Sequence, residues 1–218
     1  MKKNEQVSTP VIKRLPRYHR YLEELKRQGV VRISSKELSQ RMGLTASQIR
    51  QDLNCFGGFG QQGYGYNIEQ LYNEIGNILG LDSKFKAVLI GAGNLGHAVA
   101  THLRFEDRGF NLVGIFDNNP QIVGQQIGNH TVMSTNNLES FCKENSPSVA
   151  ILCIPSEFAD STAKKLVDLG VKGFWNFTQY DISTDYEGIA VENVHLGDSL
   201  MTLCYQINNI DNSEEETK

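Results

Sequence analysis

Between residues 15 and 28 the apolar positions Leu15, Tyr18, Leu22 and Leu25 fall at i, i+3, i+7 and i+10, the spacing of one helix face. Pro16 suits the first turn of that helix and Gly29 its C-terminal cap. A second helix is expected from Ser34, where Ser34 and Glu37 have capping-box spacing, Leu38 and Met42 lie one turn apart, and Gly43 supplies a left-handed turn. Thr45 and Gln48 repeat the capping spacing at once. Ala46, Ile49 and Leu53 then form an inward stripe that leaves Ser47, Gln48, Arg50, Gln51 and Asn54 facing outward. Two short helices joined through Gly43-Leu44 make a helix-turn-helix. In the following run, Phe56 to Tyr66, five glycines are interleaved with Phe56, Phe59, Tyr64 and Tyr66. That composition suits a tight hairpin whose backbone approaches another surface, as a wing does; a flexible linker would not carry aromatics that need a surface to pack on.

The pattern then changes. A helix over about Asn67 to Leu79 and a hinge at residues 80–83 lead to an apolar strand, Phe85–Ile90. Gly91-Ala92-Gly93-Asn94-Leu95-Gly96 follows directly and opens a helix running through Ala98, Val99 and Leu103. A second strand, Leu112–Phe116, ends in Asp117, and further strands are expected at Val149–Ile154, Val171–Phe177 and Gly188–Val191, with a helix near Phe158–Leu169. Leu196, Leu200, Leu203, Cys204 and Ile207 make a last amphipathic helix beginning near His195, followed by an acidic tail, Asp211–Glu216. The expected architecture is α/β: an N-terminal winged helix-turn-helix over residues 1–79, a Rossmann-like parallel sheet over 80–194, and a dimerisation helix over 195–218. An apolar C-terminal helix with no long loop to fold it back suits a dimer in which it packs on, or is exchanged with, the partner.

Charge separates the two halves by partner. Residues 1–66 carry 12 Lys and Arg against 5 Asp and Glu, a net of +7, whereas residues 67–218 carry 9 against 20, a net of −11. A basic unit beside an acidic one is the distribution of a nucleic-acid reader joined to a domain that must avoid nucleic acid. No apolar run reaches the roughly 20 residues of a membrane span, and the first residues are polar, so a cytoplasmic address is expected. Cys55, Cys142, Cys153 and Cys204 are too widely spaced for a zinc site and read as reduced thiols.

The chemistry follows from these placements. Arg50 is the candidate for a bidentate guanine contact, Gln48 and Gln51 for adenine, and Ser47 for a phosphate; Gly60, Gln61, Gln62 and Tyr64 belong to the wing. The stripes alone would equally suit a three-helix bundle that touches no DNA. In the second half, Gly91 is expected to make the tight turn, Gly93 to admit the pyrophosphate, and Gly96 to let helix pack on strand. Asp117 would take the adenine ribose hydroxyls and repel a 2′-phosphate, which favours NAD(H) over NADP(H). After Ile154 only about sixty residues remain, and most are needed for the sheet, so a substrate domain has no room. His97, His102, His130 and His195 are the nearby acid/base candidates, and surface or capping roles suit them better than catalysis. A small NAD-dependent oxidoreductase and a CoA-ligase-type nucleotide module with a basic protein-binding segment stay open as alternatives.

Lys13-Arg14-Leu15-Pro16 with Tyr18, Ile49-Arg50-Gln51-Asp52-Leu53, Phe56-Gly57 with Gly63-Tyr64-Gly65-Tyr66, and Ile90 through Gly96 resemble the Rex family of redox-sensing repressors. The resemblance extends to Phe116-Asp117, Ile154-Pro155 and Asn176-Phe177-Thr178, and so covers nearly the whole chain. It implies a homodimer with swapped C-terminal helices, an operator of two inverted half-sites, and release from DNA when NADH rises. An apolar nicotinamide pocket is expected at the dimer interface, beyond the C-terminal ends of the strands near Ile154-Pro155 and Phe177, closed by the partner's last helix. The chain departs from the family where Gln51 replaces a basic residue and Gln61-Gln62 a basic pair, which implies fewer phosphate contacts or a changed operator preference. His195 stands where an acidic residue usually pairs with an N-terminal arginine, here Arg14, so that link would pass to another acid such as Asp198 or weaken.

Overall fold

The computed structural model describes residues 7–57, 59–61, 64–182 and 186–215. It divides into two compact units, Met1–Ser83 and Lys84–Lys218.

In the first unit, helix α1 spans Thr9–Arg27, α2 Ser35–Met42, α3 Ala46–Asn54 and α4 Ile68–Leu79. Strand β1 is Arg32–Ile33, β2 Gly60–Gln61 and β3 Gly65–Asn67, joined antiparallel in the order β1-β3-β2. The first helix starts six residues before the expected position, because Val11 extends the buried stripe of Leu15, Tyr18, Leu22 and Leu25 by one more turn. Pro16 therefore lies inside the helix, not in its first turn, and Pro10 takes the N-terminal place. An internal proline removes one helical hydrogen bond; burial of the stripe against Leu71 and Ile75 of α4 outweighs that loss. The capping box of Ser34 and Glu37 forms in full, and Gly43 adopts φ +63° between α2 and α3. Strand β1 was not legible, since two residues cannot show an alternation.

The second unit is a seven-stranded sheet in the order β10-β9-β8-β4-β5-β7-β6. Its strands are β4 Phe85–Ile90, β5 Phe110–Asp117, β6 Gln126–Ile127, β7 His130–Ser134, β8 Val149–Leu152, β9 Gly173–Asn176 and β10 Ala190–Asn193. All pairings are parallel except β6 with β7. Helices α5 (Asn94–His102), α6 (Leu138–Asn145) and α7 (Ala159–Asp168) connect them. Alternate residues of β4 enter different cores: Val88 and Ile90 pack with Phe116 and Leu152, while Ala87 and Leu89 pack with Val99 and Ile115. Burial on both faces is what a parallel strand covered by helices requires.

His130 opens β7, a strand the pattern did not predict, and two expected helix bounds change. Leu103 leaves α5 with extended backbone angles, φ −90° and ψ 128°. Residues 211–215 of the acidic tail are helical, continuing α8 (Leu196–Glu215), while Glu216 lies outside the described residues. Along α8 the residues 196–210 are exposed, with Leu200 at 68% and Leu203 at 50%. Among the described residues no helix is long and apolar enough to cross a membrane, and no cluster of ligating side chains could hold a metal. All four cysteines are free thiols, and burial pushes the Cys153 thiol up to about 12, which makes it inert at neutral pH.

Candidate DNA-reading helix and dinucleotide cradle

Helix α3 begins at the N-cap Thr45, whose hydroxyl accepts the Gln48 amide. Ile49 and Leu53 are buried, and Ser47, Arg50, Gln51 and Asn54 are exposed on the opposite side. A guanidinium nitrogen of Arg50 donates to the Ser35 hydroxyl at 3.0 Å, which ties the exposed face of α3 to the start of α2.

Gln48 departs from the expected outward position. It is half-buried, and its Nε2 donates to Asp52 Oδ1 at 2.8 Å instead of reaching back to close a capping box. Asp52 itself is fully buried and also accepts from Arg14 Nε at 2.6 Å, from a terminal nitrogen of Arg14 at 2.8 Å, and from the Tyr18 hydroxyl at 2.9 Å. Burial alone would raise the Asp52 carboxyl, but the hydrogen bonds from Arg14, Gln48 and Tyr18 together hold it below the usual carboxylate value. The same contacts raise Arg14, while burial and the neighbouring carboxylate raise Tyr18. Arg14 is thus engaged by Asp52, and His195, which the resemblance sets in the place of an acidic partner for Arg14, has Nδ1 3.6 Å from Asp198. Asp52 escaped the sequence reading, although Ile49, Asp52 and Leu53 at i, i+3 and i+4 place it on the buried face.

In the wing, β2 and β3 pair at Gly60–Tyr66 and Gln61–Gly65. Tyr64 is exposed, and its carbonyl accepts from Arg32 at 3.3 Å. Gly65 has φ +70°, and a side chain there would meet the Ile33 carbonyl at 2.6 Å, so glycine is required where β3 passes β1. Gln62, like Gly58 and Gly63, lies outside the described residues.

The second site lies beyond the C-terminal ends of β4, β5 and β8, where the chain leaves β4 for β5 on one side and later returns to β8 on the other; a reversal of this kind opens a ligand crevice. The three glycines of the fingerprint behave differently. Gly91 has φ +95°, and a Cβ on it would strike the Cys153 carbonyl at 2.4 Å. One on Gly96 would lie 1.8 Å from the Gly91 carbonyl, which is the close helix-to-strand approach. A Cβ on Gly93 would meet nothing within 4 Å, so this exposed residue leaves open space at the N-terminus of α5. Ala92, Gly93, Asn94, His97, Ile122 and Gln125 line a cavity of about 420 Å³ there, and Leu95 is exposed beside it. Asp117 ends β5 with Oδ2 accepting the Ala92 amide at 2.7 Å and Oδ1 the Asn119 amide at 2.8 Å. It therefore fixes the glycine loop, and each carboxylate oxygen has a second lone pair with which it can accept a hydroxyl donor. On the other side of β4, Ile154, Pro155 and Phe177 lie at the ends of β8 and β9, with the Phe177 amide bonded to the Leu152 carbonyl at 3.0 Å.

A family model for a putative DNA-binding protein N-terminus matches residues 6–54, and a CoA-binding domain model matches residues 82–180. The chain is 56% identical over 208 residues to the redox-sensing transcriptional repressor Rex of Caldanaerobacter subterraneus subsp. tengcongensis, covering 95% of this chain and 92% of that one. The chain belongs to the Rex family of redox-sensing transcriptional repressors. Rex of Clostridium perfringens strain SM101 is 52% identical over 211 residues, 97% of this chain and 99% of that protein. The Rex-family repressor RSP, solved in complex with β-NAD⁺ and operator DNA, superposes with a TM-score of 0.87 at 54% identity over 96% of both chains. RSP in complex with β-NADH gives 0.88 at 50% identity over 96% of this chain and 98% of that one. As a Rex, the chain is a transcriptional regulator and not an enzyme, which removes the oxidoreductase alternative.

Proposed function

We propose that two copies of this chain bind an inverted-repeat operator through their winged helices and leave it when NADH fills the crevice of each Rossmann-like unit. The observation that carries this reading is the open space over Gly93 at the N-terminus of α5, where helix amides and a bare backbone suit a pyrophosphate. Gly91, Ala92, Gly93, Asn94, Leu95 and Gly96 form that cradle, and Asp117 takes the ribose hydroxyls. A dinucleotide laid across the cradle with its adenosine toward Asp117 brings its nicotinamide to Ile154, Pro155 and Phe177. This apolar end disfavours the cationic ring of NAD⁺ relative to NADH. Asp117 also repels a phosphorylated ribose, which disfavours NADPH and CoA. On the DNA side, Arg50 and Gln51 of α3 read the major groove and Ser47 takes a phosphate, while Gly60, Gln61, Gln62 and Tyr64 of the wing approach the backbone.

The exposed apolar face of α8, built from Leu196, Leu200, Leu203 and Ile207, supports a homodimer formed by packing or exchange of this helix, and a cytoplasmic repressor follows from the DNA target. The test is to titrate NADH into the protein with and without saturating operator DNA, with NAD⁺, NADPH and CoA as competitors. Linkage requires the operator to weaken NADH binding by the factor with which NADH weakens operator binding, typically about 5- to 150-fold. An NADH dissociation constant unmoved by the operator would overturn the reading.

A further inference from the structure

At the mouth of β9 one side chain uses its whole hydrogen-bonding capacity. Asn176 is fully buried; its Oδ1 accepts the Thr178 amide at 3.0 Å and the Thr178 hydroxyl at 2.8 Å. Its Nδ2 donates to the Tyr180 carbonyl at 2.6 Å and to Asn193 Oδ1 at 2.8 Å. Asn193, the last residue of β10, passes the polarity on by donating from Nδ2 to Asp181 Oδ1 at 3.1 Å. The Val194 amide, two residues before α8, donates to the Asn176 carbonyl at 2.8 Å.

Neither carboxamide is free to turn over. A backbone amide can only donate and a carbonyl can only accept, so Thr178 and Tyr180 together fix which end of Asn176 is oxygen. That in turn obliges Asn193 to present its oxygen to Asn176 and its nitrogen to Asp181. A shift of the Phe177–Thr178 segment therefore cannot be absorbed by an amide rotation and must be carried to Asn193 or break a bond in a buried site, which is costly. Phe177 stands at one end of this chain of bonds and the root of α8 at the other.

We infer that Asn193, acting through Asn176, is the positioning residue that makes the root of α8 respond to occupancy of the nicotinamide end of the crevice. This rests on the NADH-switch reading above and names the residue through which that switch runs. Asn193 touches no ligand in the proposed arrangement, so its removal leaves NADH affinity and operator affinity, each measured alone, within about threefold of wild type, and lowers their coupling.

The experiment measures the NADH dissociation constant of the full-length protein with and without saturating operator, for wild type, Asn193→Ala and Asn193→Asp with Asp181→Asn, alongside thermal unfolding. Asn193→Ala removes the acceptor that Asn176 needs; Asn193→Asp keeps that acceptor and, because it would otherwise set two carboxylates against each other, is made together with Asp181→Asn, whose amide restores the bond between the two positions. Coupling in Asn193→Ala is expected to fall to under about a third of the wild-type factor, within the roughly 5- to 150-fold range of such effects, while the double variant retains it. Wild-type coupling in Asn193→Ala, or equal loss in both variants, overturns the inference. A wild-type protein without coupling refutes the NADH-switch reading itself, so the two failures are told apart in the same titrations.

Discussion

Arg14 and Asp52, 38 residues apart, meet in a two-pronged ion pair in which the arginine Nε lies 2.6 Å from Oδ2 and a terminal nitrogen 2.8 Å from Oδ1. The carboxylate is fully buried and the arginine side chain is 26% exposed. The pair clamps helix α3 to α1, and it holds Gln48, expected from the sequence to face outward, as a third partner. Removing one member of a buried pair typically costs about 3–5 kcal/mol. Asp52→Asn is expected near the lower end, about 3 kcal/mol, because Arg14 can turn toward solvent. Denaturant unfolding of the first unit's transition measures it, and a change under about 1 kcal/mol would show that the pair contributes little. The pH dependence has a definite sign. With its folded value below the ordinary 3.8, Asp52 binds fewer protons folded than unfolded; its stabilisation is present above that value and lost as pH falls through the folded one.

His19 provides a second acid-sensitive point, at milder pH. Its ring stacks on Tyr72 with centroids 4.1 Å apart, and burial between α1 and α4 lowers it from the ordinary 6.5 despite the opposing pull of Glu23. Below about pH 6.5 the unfolded chain takes up the proton first, so stability falls as pH drops further, until the folded histidine is itself protonated. His19→Phe keeps the stacked ring and is expected to flatten that part of the profile. Parallel pH profiles for the two proteins, measured by thermal unfolding, would assign the loss to another group.

Helix α3 and the glycine loop before α5 were legible because their signals are local. Capping spacing at Ser34 and Thr45, and three glycines directly after an apolar strand, each specify a backbone shape within a few residues. The α1 start was misplaced because Pro16 is a strong local signal for a first turn, and only packing against α4 shows that the stripe begins at Val11. Residues 126–145 hid β6, β7 and α6, since β6 has two residues and α6, as short as α2, lacks the side-chain cap that marked α2. The Asp52 and Asn176 networks were illegible in a different way. Their partners lie up to 38 residues away in sequence, and an aspartate or asparagine in isolation reads as a cap or a turn.

The glycines of the cradle allow stability and binding to be separated. Gly96→Ala places a methyl group 1.8 Å from the Gly91 carbonyl and must displace backbone, so the second unit should lose thermal stability as well as NADH binding. Gly93→Ala meets no protein atom within 4 Å, so its melting temperature should stay within a few degrees of wild type, while NADH binding falls by about tenfold or more, equivalent to about 1.4 kcal/mol. Thermal shift and NADH fluorescence on the same samples decide it. Full NADH affinity in Gly93→Ala would move the pyrophosphate elsewhere.

The final prediction concerns assembly through α8. Leu200 and Leu203 are 68% and 50% exposed in the single chain, on a helix otherwise flanked by Leu196 and Ile207 on the same face. Burying one leucine contributes about 1.5–3 kcal/mol. Scaled to the 68% and 50% that remain exposed, replacing both by glutamate removes about 4–7 kcal/mol from a two-fold dimer, counting each chain's pair, before any penalty for the buried charge is added. Leu200→Glu with Leu203→Glu should convert the protein to monomers at micromolar concentration, measured by analytical ultracentrifugation. The core of the first unit is drawn from its own residues, Leu15 to Ile75, so its unfolding should be unaffected. Operator binding should nonetheless collapse to the level of a single half-site, because two reading helices must be held about one DNA turn, roughly 34–36 Å, apart. A dimer that survives the double substitution would place the interface on another face, and a monomer that still binds the full operator tightly would show that the winged helices pair on DNA without α8.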